Sequence, residues 1–404
     1  MQEKVAPEAA TARMQWASAL GVGSTLEDAI VAASGRVTSR LGPEPVDLVF
    51  VFVSSTYRDT YERVPGLLRE HLDHRTLLGC SGGGVIGGGE EVEFSPAVGI
   101  TAARLPGVKV QSFHLRDEEM PDLDSGPAEW EKAIGVRAAD NPHFVLMVDP
   151  FSFNVENMVA GLDFAFPRGA KIGGLASDAR ERGGNALFLD RRSWRSGLTG
   201  VALSGNLEVD AVVAQGCRPV GKPMLITAGR HNCIEELDGR RPLDVLHDLV
   251  ASLDERDRAL VRTSLSLGMV TDPFRLEYQE GDFLIRNLLG IDRERGFLAV
   301  GMLVRKGQTV QFHLRDAETS AQDLSRALER IPNPSSPQAA LLFSCLGRGQ
   351  HLYKVSNHDS DAFLRHVGPV PLGGFFCNGE IGPVGGTTFV HGYTSCFALF
   401  RPKG

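Results

Sequence analysis

The stretch of sequence that decides the fold reads LLGCSGGGVIGGGEE, from Leu77 to Glu91. By letters alone, residues 79–83 fit the G-x-S-x-G turn of hydrolases, and residues 82–87 fit the G-x-G-x-x-G loop of dinucleotide-binding proteins. Both motifs need a helix directly after the glycines, because the helix N-terminus supplies the N–H groups that hold a phosphate or present a nucleophile. Here the glycines continue to Gly89 and the alternating residues EEVEF follow. The pattern therefore predicts a strand, a wide glycine turn and a second strand.

A glycine-rich turn of this kind has two interpretations. Glycine tolerates positive φ angles and close backbone approach, so the turn can be a tight connection at the edge of a sheet. Alternatively, its exposed backbone amides can line a small-ligand pocket, to which Cys80 and Ser81 would contribute. The stretch alone leaves both interpretations open.

Two nearly identical strings predict the rest of the fold. VQSFHLRDEE runs from Val110 to Glu119, VQFHLRDAE runs from Val310 to Glu318, and each precedes a helical pattern and then a buried apolar strand. We interpret them as an ancient duplication of a strand–helix–strand–strand unit, present in two or three copies. The expected fold class is α+β, with mixed β-sheets and outer helices. The Arg-Asp pair that ends each string is predicted to cap the following helix.

The linking segment between the copies predicts a domain boundary near Gly239. Residues 1–44 are expected to form an N-terminal arm and a helix. Residues 45–239 are then expected to form a first domain, and residues 240–404 a second, each large enough to bury a core of its own.

The composition limits the class of protein. The chain has 404 residues, a formal net charge of −8 and 42% apolar residues, as is typical of a soluble globular protein. No apolar run approaches the about 20 residues of a membrane helix, and the negative charge disfavours nucleic acid as a partner. The six cysteines are scattered without a C-x-x-C pair, so they are expected to be free thiols in the cytoplasm. No cofactor is expected.

Charged residues follow apolar strands on two glycine-rich turns near the C-terminus. FSCLGRG (343–349) carries Arg348, and GGFFCNGEIGPVGG (373–386) carries Glu380. Such turns at strand ends are common places for binding sites in mixed sheets. The Arg would suit the carboxylate of an amino-acid-like ligand, and the Glu its ammonium group. The alternative is that the two side chains form an ordinary salt bridge while the nearby cysteines fill the core.

Six segments in order give the sequence a family resemblance: LVFVFVSS, LLGCSGGGVIGGGEE, AVVAQGCRPVG, LFSCLGRG, GFFCNGEIGPVGG and FVHGYTSCFALF. Together they resemble the FIST-domain family, with its N- and C-terminal halves, over nearly the whole chain. The resemblance implies a sensory module of bacterial signal transduction that binds small ligands such as amino acids. FIST domains also occur beside an F-box in ubiquitin-ligase adaptors, an architecture for which this chain shows no matching segment. We therefore expect a stand-alone member with a separate signalling partner.

The family offers no agreed catalytic residues, so the candidate site comes from the turns themselves. We expect a ligand-binding protein rather than an enzyme, with a pocket between the duplicated halves. Its expected lining consists of Cys345, Gly347, Arg348, Cys377, Asn378 and Glu380, joined by Cys80 and Ser81.

Three alternatives remain open. A thiol enzyme would pair Cys345 with His351 or His358 as nucleophile and base. A metal site would use His351, His358, Asp359, His366 and His391, but their spacing lacks any paired-ligand motif and favours solvated histidines. A protein-interaction scaffold would bind a partner without a small ligand. The locally basic segment from Arg180 to Arg195 is predicted to be a solvated hairpin, with a partner surface around Trp194 as the alternative.

Overall fold

The computed structural model of the protein describes residues 13–272, 275, 277–278, 281–331 and 337–403. The strands are β1 Gln15–Val22, β2 Val46–Ser54, β3 His74–Gly82, β4 Gly84–Gly87, β5 Glu90–Glu93, β6 Ala97–Arg104, β7 Val108–Leu115, β8 His143–Val148, β9 Lys171–Leu175, β10 Leu187–Leu189, β11 Arg192–Trp194, β12 Leu198–Gly205, β13 Glu208–Ala214, β14 Arg218–Arg230, β15 Cys233–Leu237, β16 Ser266–Val270, β17 Phe283–Asp292, β18 Phe297–Val300, β19 Thr309–Leu314, β20 Ala339–Cys345, β21 Leu372–Cys377, β22 Glu380–Val384, β23 Thr387–His391 and β24 Ser395–Arg401. The helices are α1 Leu26–Leu41, α2 Val64–His71, α3 Pro127–Ile134, α4 Val155–Ala165, α5 Pro242–Ser252, α6 Glu255–Ser264, α7 Ala317–Glu329, α8 Gly349–Tyr353 and α9 His358–Val367.

One four-stranded unit occurs three times. Its strand order is β3-β2-β6-β1 in the first sheet, β9-β8-β12-β7 in the second and β21-β20-β24-β13 in the third. In each unit the first two strands of this order run parallel and the other two pairings are antiparallel. The predicted α+β fold with internal duplication is therefore confirmed, and the residues that the structure describes contain three copies.

The three units exchange hairpins in a cycle. Along the chain, a two-stranded hairpin lies between the third and the fourth strand of each unit. That hairpin extends the sheet of another unit to six strands. β4–β5 of the first unit joins the third sheet, β10–β11 of the second joins the first, and β22–β23 of the third joins the second. The glycine stretch after β3 is therefore the crossing from one sheet to another. Gly83 alone separates β3 from β4, and the turn between β4 and β5 takes only Gly88 and Gly89, so the predicted wide turn is in fact a short strand.

Glycines allow the parallel strands of each unit to lie close together. Gly79, Gly173 and Gly374 occupy equivalent places in β3, β9 and β21, each opposite a residue of the parallel neighbour. A Cβ atom on these glycines would lie 1.8, 2.0 and 1.9 Å from the carbonyl oxygen of the facing residue. Because no Cβ fits at that distance, the repeat preserves glycine here while its other residues differ.

A closed barrel is inserted into the third unit, between β13 and α7. Its strands follow the order β14-β15-β18-β17-β16-β19, and helices α5 and α6 pack on it. The second of the twin strings lies in β19 of this barrel, whereas the first lies in β7 of the second sheet. The strings thus occupy different places, because β13 takes the place of β7 in the third unit. Asp316 does cap α7, by accepting a hydrogen bond from Thr319 N at 2.8 Å.

The main core lies where the inner faces of the three sheets meet. Phe50, Phe343 and Phe375 are fully buried there, and outer helices cover the opposite face of each sheet in separate apolar clusters. All six cysteines are free, as predicted. Within the described ranges, no helix is both long and apolar enough to cross a membrane.

The domain boundary near Gly239 stays a prediction. The barrel takes β14 and β15 from before this residue and its other strands from after it. The third sheet likewise contains β4, β5 and β13 from the first half of the chain. Strands from both halves are therefore combined within single sheets.

Candidate functional site

The two C-terminal glycine turns lie side by side. β20 and β21 are parallel neighbours, with Cys345 opposite Cys377 in their register. Because both strands end at the same edge of the third sheet, the turns that carry Arg348 and Glu380 follow from adjacent points. The structure thus brings these two parts of the predicted site to one edge.

Arg348 is an internal structural side chain. It is fully buried, and its Nε and Nη2 atoms donate to the two carboxylate oxygens of Asp359 at 2.9 and 3.1 Å. Nη2 also donates to the Tyr353 hydroxyl at 2.6 Å. In the alternative to ligand binding, Arg348 would form a salt bridge with Glu380, but its partner in the structure is Asp359 of α9. With its charge already balanced, Arg348 has no free face for the carboxylate of a ligand.

Asp359 stands at the centre of this buried network. It also accepts hydrogen bonds from the hydroxyls of Ser344, at 3.1 Å, and Ser395. Although burial alone would raise the pKa of Asp359, the Arg348 guanidinium and these hydrogen bonds hold the pKa well below its usual range. His358 Nδ1 lies 2.9 Å from the Asp359 carboxylate, and its ring stacks on Tyr353 at 3.4 Å. His358 is therefore part of the same network.

Glu380 is the second fully buried ionisable residue of the turns, and only one of its two carboxyl oxygens accepts a hydrogen bond. Its Oε2 accepts a hydrogen bond from Thr394 N at 3.1 Å, whereas Oε1 has no hydrogen-bond partner. Burial raises the pKa of Glu380 well above its usual range. Burial therefore favours the protonated form of the carboxyl group, whereas a positive group placed against Oε1 would favour the ionised form.

Cys345 lies beside Glu380 and is half-buried. Burial, together with the nearby Glu380, raises the pKa of the Cys345 thiol to about 12. Gly347 N lies 3.4 Å from the sulfur. A catalytic thiolate needs a lowered pKa, so this environment disfavours the thiol-enzyme alternative.

Arg315 is a site residue that the sequence analysis missed. It is half-buried, its guanidinium carbon lies 3.7 Å from the centre of the Tyr393 ring, and its Nη1 has no hydrogen-bond partner. A Cβ atom on Gly347 would meet the same ring at 2.9 Å and Arg315 Nη1 at 3.7 Å. Glycine at this position therefore allows the Tyr393 ring to pack against the turn. The signal was present in the second twin string, whose Arg was interpreted as scaffolding.

Four of the expected lining residues have other surroundings. Cys80 and Cys377 are fully buried in the main core. Ser81 is fully buried, and its hydroxyl accepts a hydrogen bond from Ala186 N at 3.0 Å, which ties β3 to the incoming hairpin. Asn378 has an exposed side chain, and its backbone N donates to Leu175 O at 3.0 Å. The group that remains around the half-buried turn consists of Cys345, Gly347, Glu380 and Arg315.

The histidines of the metal alternative serve other contacts. His391 Nε2 lies 2.9 Å from Gly382 O, and His358 belongs to the Asp359 network. In the part of the chain that the structure describes, no group of three or more His, Cys, Asp or Glu side chains could hold a metal ion. The geometry gives the metal alternative no support.

Glu91 connects the first unit to this network through the exchanged hairpin. It lies in β5, is buried, and accepts a hydrogen bond from Ser360 N at 2.7 Å through Oε1, while Oε2 has no partner. Burial and the nearby Asp359 raise the pKa of Glu91 to about 8. The folded protein thus holds a proton on Glu91 that the unfolded chain releases at a lower pH.

Glu91→Gln is expected to make folding less sensitive to pH. In the wild type, the free energy of unfolding should fall as pH rises from about 4.5 to about 8, by at most about 1.4 kcal/mol per pH unit from this residue. Glutamine keeps the acceptor for Ser360 and has no proton to lose. Urea unfolding at pH 5, 6, 7 and 8 should therefore show the variant gaining stability relative to the wild type as pH rises.

The matched control for this measurement is Glu90→Gln in the same strand. Glu90 is exposed, so its replacement removes the same charge without the buried environment. Its curve should run parallel to that of the wild type. A Glu91→Gln curve that also runs parallel would mean that Glu91 is ionised in the folded protein.

The fold and the site together define a class: a three-unit α+β protein with exchanged hairpins, an inserted barrel and a polar group at the strand ends of the third sheet. Residues 47–240 match the FIST N domain, and residues 242–383 match the FIST C domain. The chain belongs to the FIST family. FIST domains are sensory domains of signal transduction.

The relatives differ in the share of the chain that they match. An uncharacterized protein of Mycobacterium tuberculosis strain H37Rv is 36% identical over 387 residues, which is 94% of this chain and 99% of the relative. The human F-box only protein 22 is 31% identical over 101 residues, or 24% of this chain and 25% of that protein. Among solved structures, a cyanuric acid hydrolase from A. caulinodans covers 97% of this chain with 8% identity and a TM-score of 0.36, a likeness too low for inference.

Proposed function

We propose that this chain is a cytoplasmic sensory protein that binds a small amino-acid-like ligand at the strand ends of the third sheet and passes the signal to a separate protein. The observation that carries the proposal is a neighbouring guanidinium group and carboxyl group, each with one polar atom that makes no hydrogen bond. Arg315 Nη1 and Glu380 Oε1 are both buried, and neither has a hydrogen-bond partner among the described residues. Buried polar atoms are rarely left unpaired, so an unpaired donor and acceptor in one group favour a bound molecule.

The chemistry of the two groups suits an α-amino acid. The Arg315 guanidinium can donate to a carboxylate, as guanidinium groups commonly do. The Glu380 carboxyl can accept from an ammonium group and would become ionised on doing so. Arg315 replaces Arg348 in this role, because Asp359 already neutralises Arg348. Cys345 and Gly347 are half-buried, which supports entry of the ligand from their side.

A library of amino acids and small metabolites tests the proposal by thermal unfolding of the full chain. A ligand present at 100 times its Kd should stabilise the folded protein by about 2.7 kcal/mol, which raises the Tm by a few degrees. Arg315→Gln and Glu380→Gln should each abolish the shift, because each removes one of the two charged contacts. Arg293→Gln, an exposed change in a barrel turn, should leave the shift unchanged.

The pH dependence of binding supplies an independent check. Because burial raises the pKa of Glu380 well above its usual range, an ammonium group that binds the ionised carboxylate would displace a proton. The affinity for an amino acid should therefore rise with pH, by up to about tenfold per pH unit, while the pH remains below the pKa of Glu380. Absence of any shift across the library, or shifts that survive both variants, would point instead to a scaffold that binds a protein partner alone.

A further inference from the structure

A second candidate site lies far along the chain from the C-terminal turns, at the exchanged β10–β11 hairpin. A cleft of 700 Å³ opens between the end of α2, the start of β3 and the turn that joins β10 to β11. Its lining includes Arg69, His74, Arg75, Arg191, Arg192 and Trp194. The antiparallel pairing of β10 with β11 confirms the predicted hairpin in the basic segment, but β10 is buried beside β3, so only part of the hairpin is solvated.

The cleft concentrates positive charge on an acidic protein. Four arginines line it, although the chain carries a formal net charge of −8. Arg75 is paired with Asp47 at 3.1 Å. Among the described residues, no carboxylate lies within ion-pair distance of Arg69, Arg191 or Arg192. Guanidinium groups gathered in this way repel one another, and a bound anion would offset that repulsion.

The one carboxylate that lines the cleft serves to hold the hairpin in place. Asp190 accepts hydrogen bonds from Leu77 N at 3.3 Å and from the Ser112 hydroxyl at 2.8 Å. Its backbone N also donates to Leu77 O at 2.9 Å. These bonds tie the hairpin turn to β3 and β7, so the arginines of the turn are carried on a fixed support. Preorganised donors of this kind bind with less loss of entropy.

Two buried donors and one buried acceptor on the cleft's lining residues have no partner. Arg69 Nε and Trp194 Nε1 are the donors. The acceptor is on His74, which is almost fully buried: Nδ1 lies 2.7 Å from Leu72 O and so carries the proton, which leaves an unshared electron pair on Nε2. Burial lowers the pKa of His74, which keeps the ring neutral. A molecule that satisfied all three atoms would have to carry acceptor oxygens for the two donors and an O–H group for His74 Nε2.

We propose that this cleft binds the phosphate group of a small phosphorylated molecule. Arg69, Arg191 and Arg192 would surround the phosphoryl oxygens, and His74 Nε2 would accept the hydrogen bond from a P–OH group. At pH 6 about half of a phosphate monoester still carries a proton, because its second pKa is about 6, whereas sulfate carries none. The volume of 700 Å³ exceeds that of a bare anion and lies in the range of pockets for small organic ligands.

Calorimetric titration of the full chain at pH 6 with inorganic phosphate and with sulfate tests the assignment. We expect phosphate to bind at least about tenfold more tightly than sulfate, because only phosphate can satisfy His74. The double variant Arg191→Gln/Arg192→Gln changes two exposed side chains and should weaken phosphate binding at least about tenfold. Arg180→Gln/Arg182→Gln removes the same charge from exposed positions outside the cleft lining and should bind like the wild type.

Two further measurements test the contact with His74 and the kind of molecule that carries the phosphate. His74→Phe should abolish the preference for phosphate over sulfate; if this buried variant does not fold, the arginine variants decide. Glucose 6-phosphate should bind at least as tightly as inorganic phosphate. Equal affinity of the wild type for phosphate and sulfate, or unchanged binding in the double variant at Arg191 and Arg192, would overturn the proposal. Tighter binding of a phosphoserine peptide than of both small phosphates would assign the cleft to a protein partner instead.

Discussion

Gly374→Ala is expected to destabilise the protein by about 4 kcal/mol or more, at the upper end of what one substitution does. The new Cβ would lie 1.9 Å from the backbone oxygen of Leu342, and a carbonyl in a buried parallel strand cannot move away alone. The φ angle of +148° is also one that residues with a Cβ rarely adopt. β20 and β21 would have to separate, with loss of ladder hydrogen bonds. Urea unfolding followed by circular dichroism measures the loss.

The matched control places the same methyl group where space is available. Gly66 lies in α2 and has nothing within 4 Å of the position that a Cβ atom would take, so Gly66→Ala should stabilise the helix by about 0.5–1 kcal/mol. Gly79→Ala and Gly173→Ala should also be strongly destabilising, since a Cβ atom at either position would meet the facing carbonyl oxygen at 1.8 or 2.0 Å. A loss below about 1 kcal/mol at Gly374 would show that the parallel strands separate easily, contrary to the role assigned to these glycines.

The sequence predicted local structure well where its periodicity is strong. The stretch from Leu77 to Glu91 was predicted as strand, wide glycine turn and strand. β3 and β5 form the two strands, but residues 84–87 inside the predicted turn form the strand β4. The prediction correctly rejected both competing motifs, because they require a helix and the alternating residues after Gly89 exclude one. Local patterns carry no information about which sheet a hairpin joins, so the cyclic exchange of hairpins could not be predicted.

The third copy was difficult to recognise because a barrel interrupts it. β13 and β20 belong to one unit, but residues 215–338 lie between the end of the first and the start of the second. The twin strings also pointed to the wrong equivalence, since β19 belongs to the barrel. The informative repeated feature is a single glycine per unit. Its cause is a contact between strands, which becomes visible only in the structure.

The sequence predicted the location of the candidate site more accurately than the contacts within it. Glycine turns after apolar strands indicated the correct edge of the third sheet. The partner of Arg348 could not be chosen from the sequence, because Glu380 and Asp359 both lie within reach along the chain. Packing decides in favour of Asp359, which α9 presents at 2.9 Å. Arg315 lies in the loop after β19, so it is too far along the chain from the two glycine turns for sequence spacing to link it to them.

Arg348→Ala is expected to cost about 3–5 kcal/mol, because it would leave the Asp359 carboxylate buried without its counter-charge. The two side chains are almost fully inaccessible to water, so neither solvent nor salt can replace the lost partner. Arg63→Ala is the matched control. Its salt bridge to Glu27 at 3.1 Å joins side chains that are 55% and 51% exposed, and its loss should cost about 0–1 kcal/mol. Urea unfolding of both variants measures the difference. The double variant Arg348→Ala/Asp359→Ala should lose less stability than the sum of the losses of its two single variants, because it leaves no unpaired charge. A cost for Arg348→Ala no larger than that for Arg63→Ala would mean that Asp359 finds another partner or takes up a proton, and the structural role given to Arg348 would then fall.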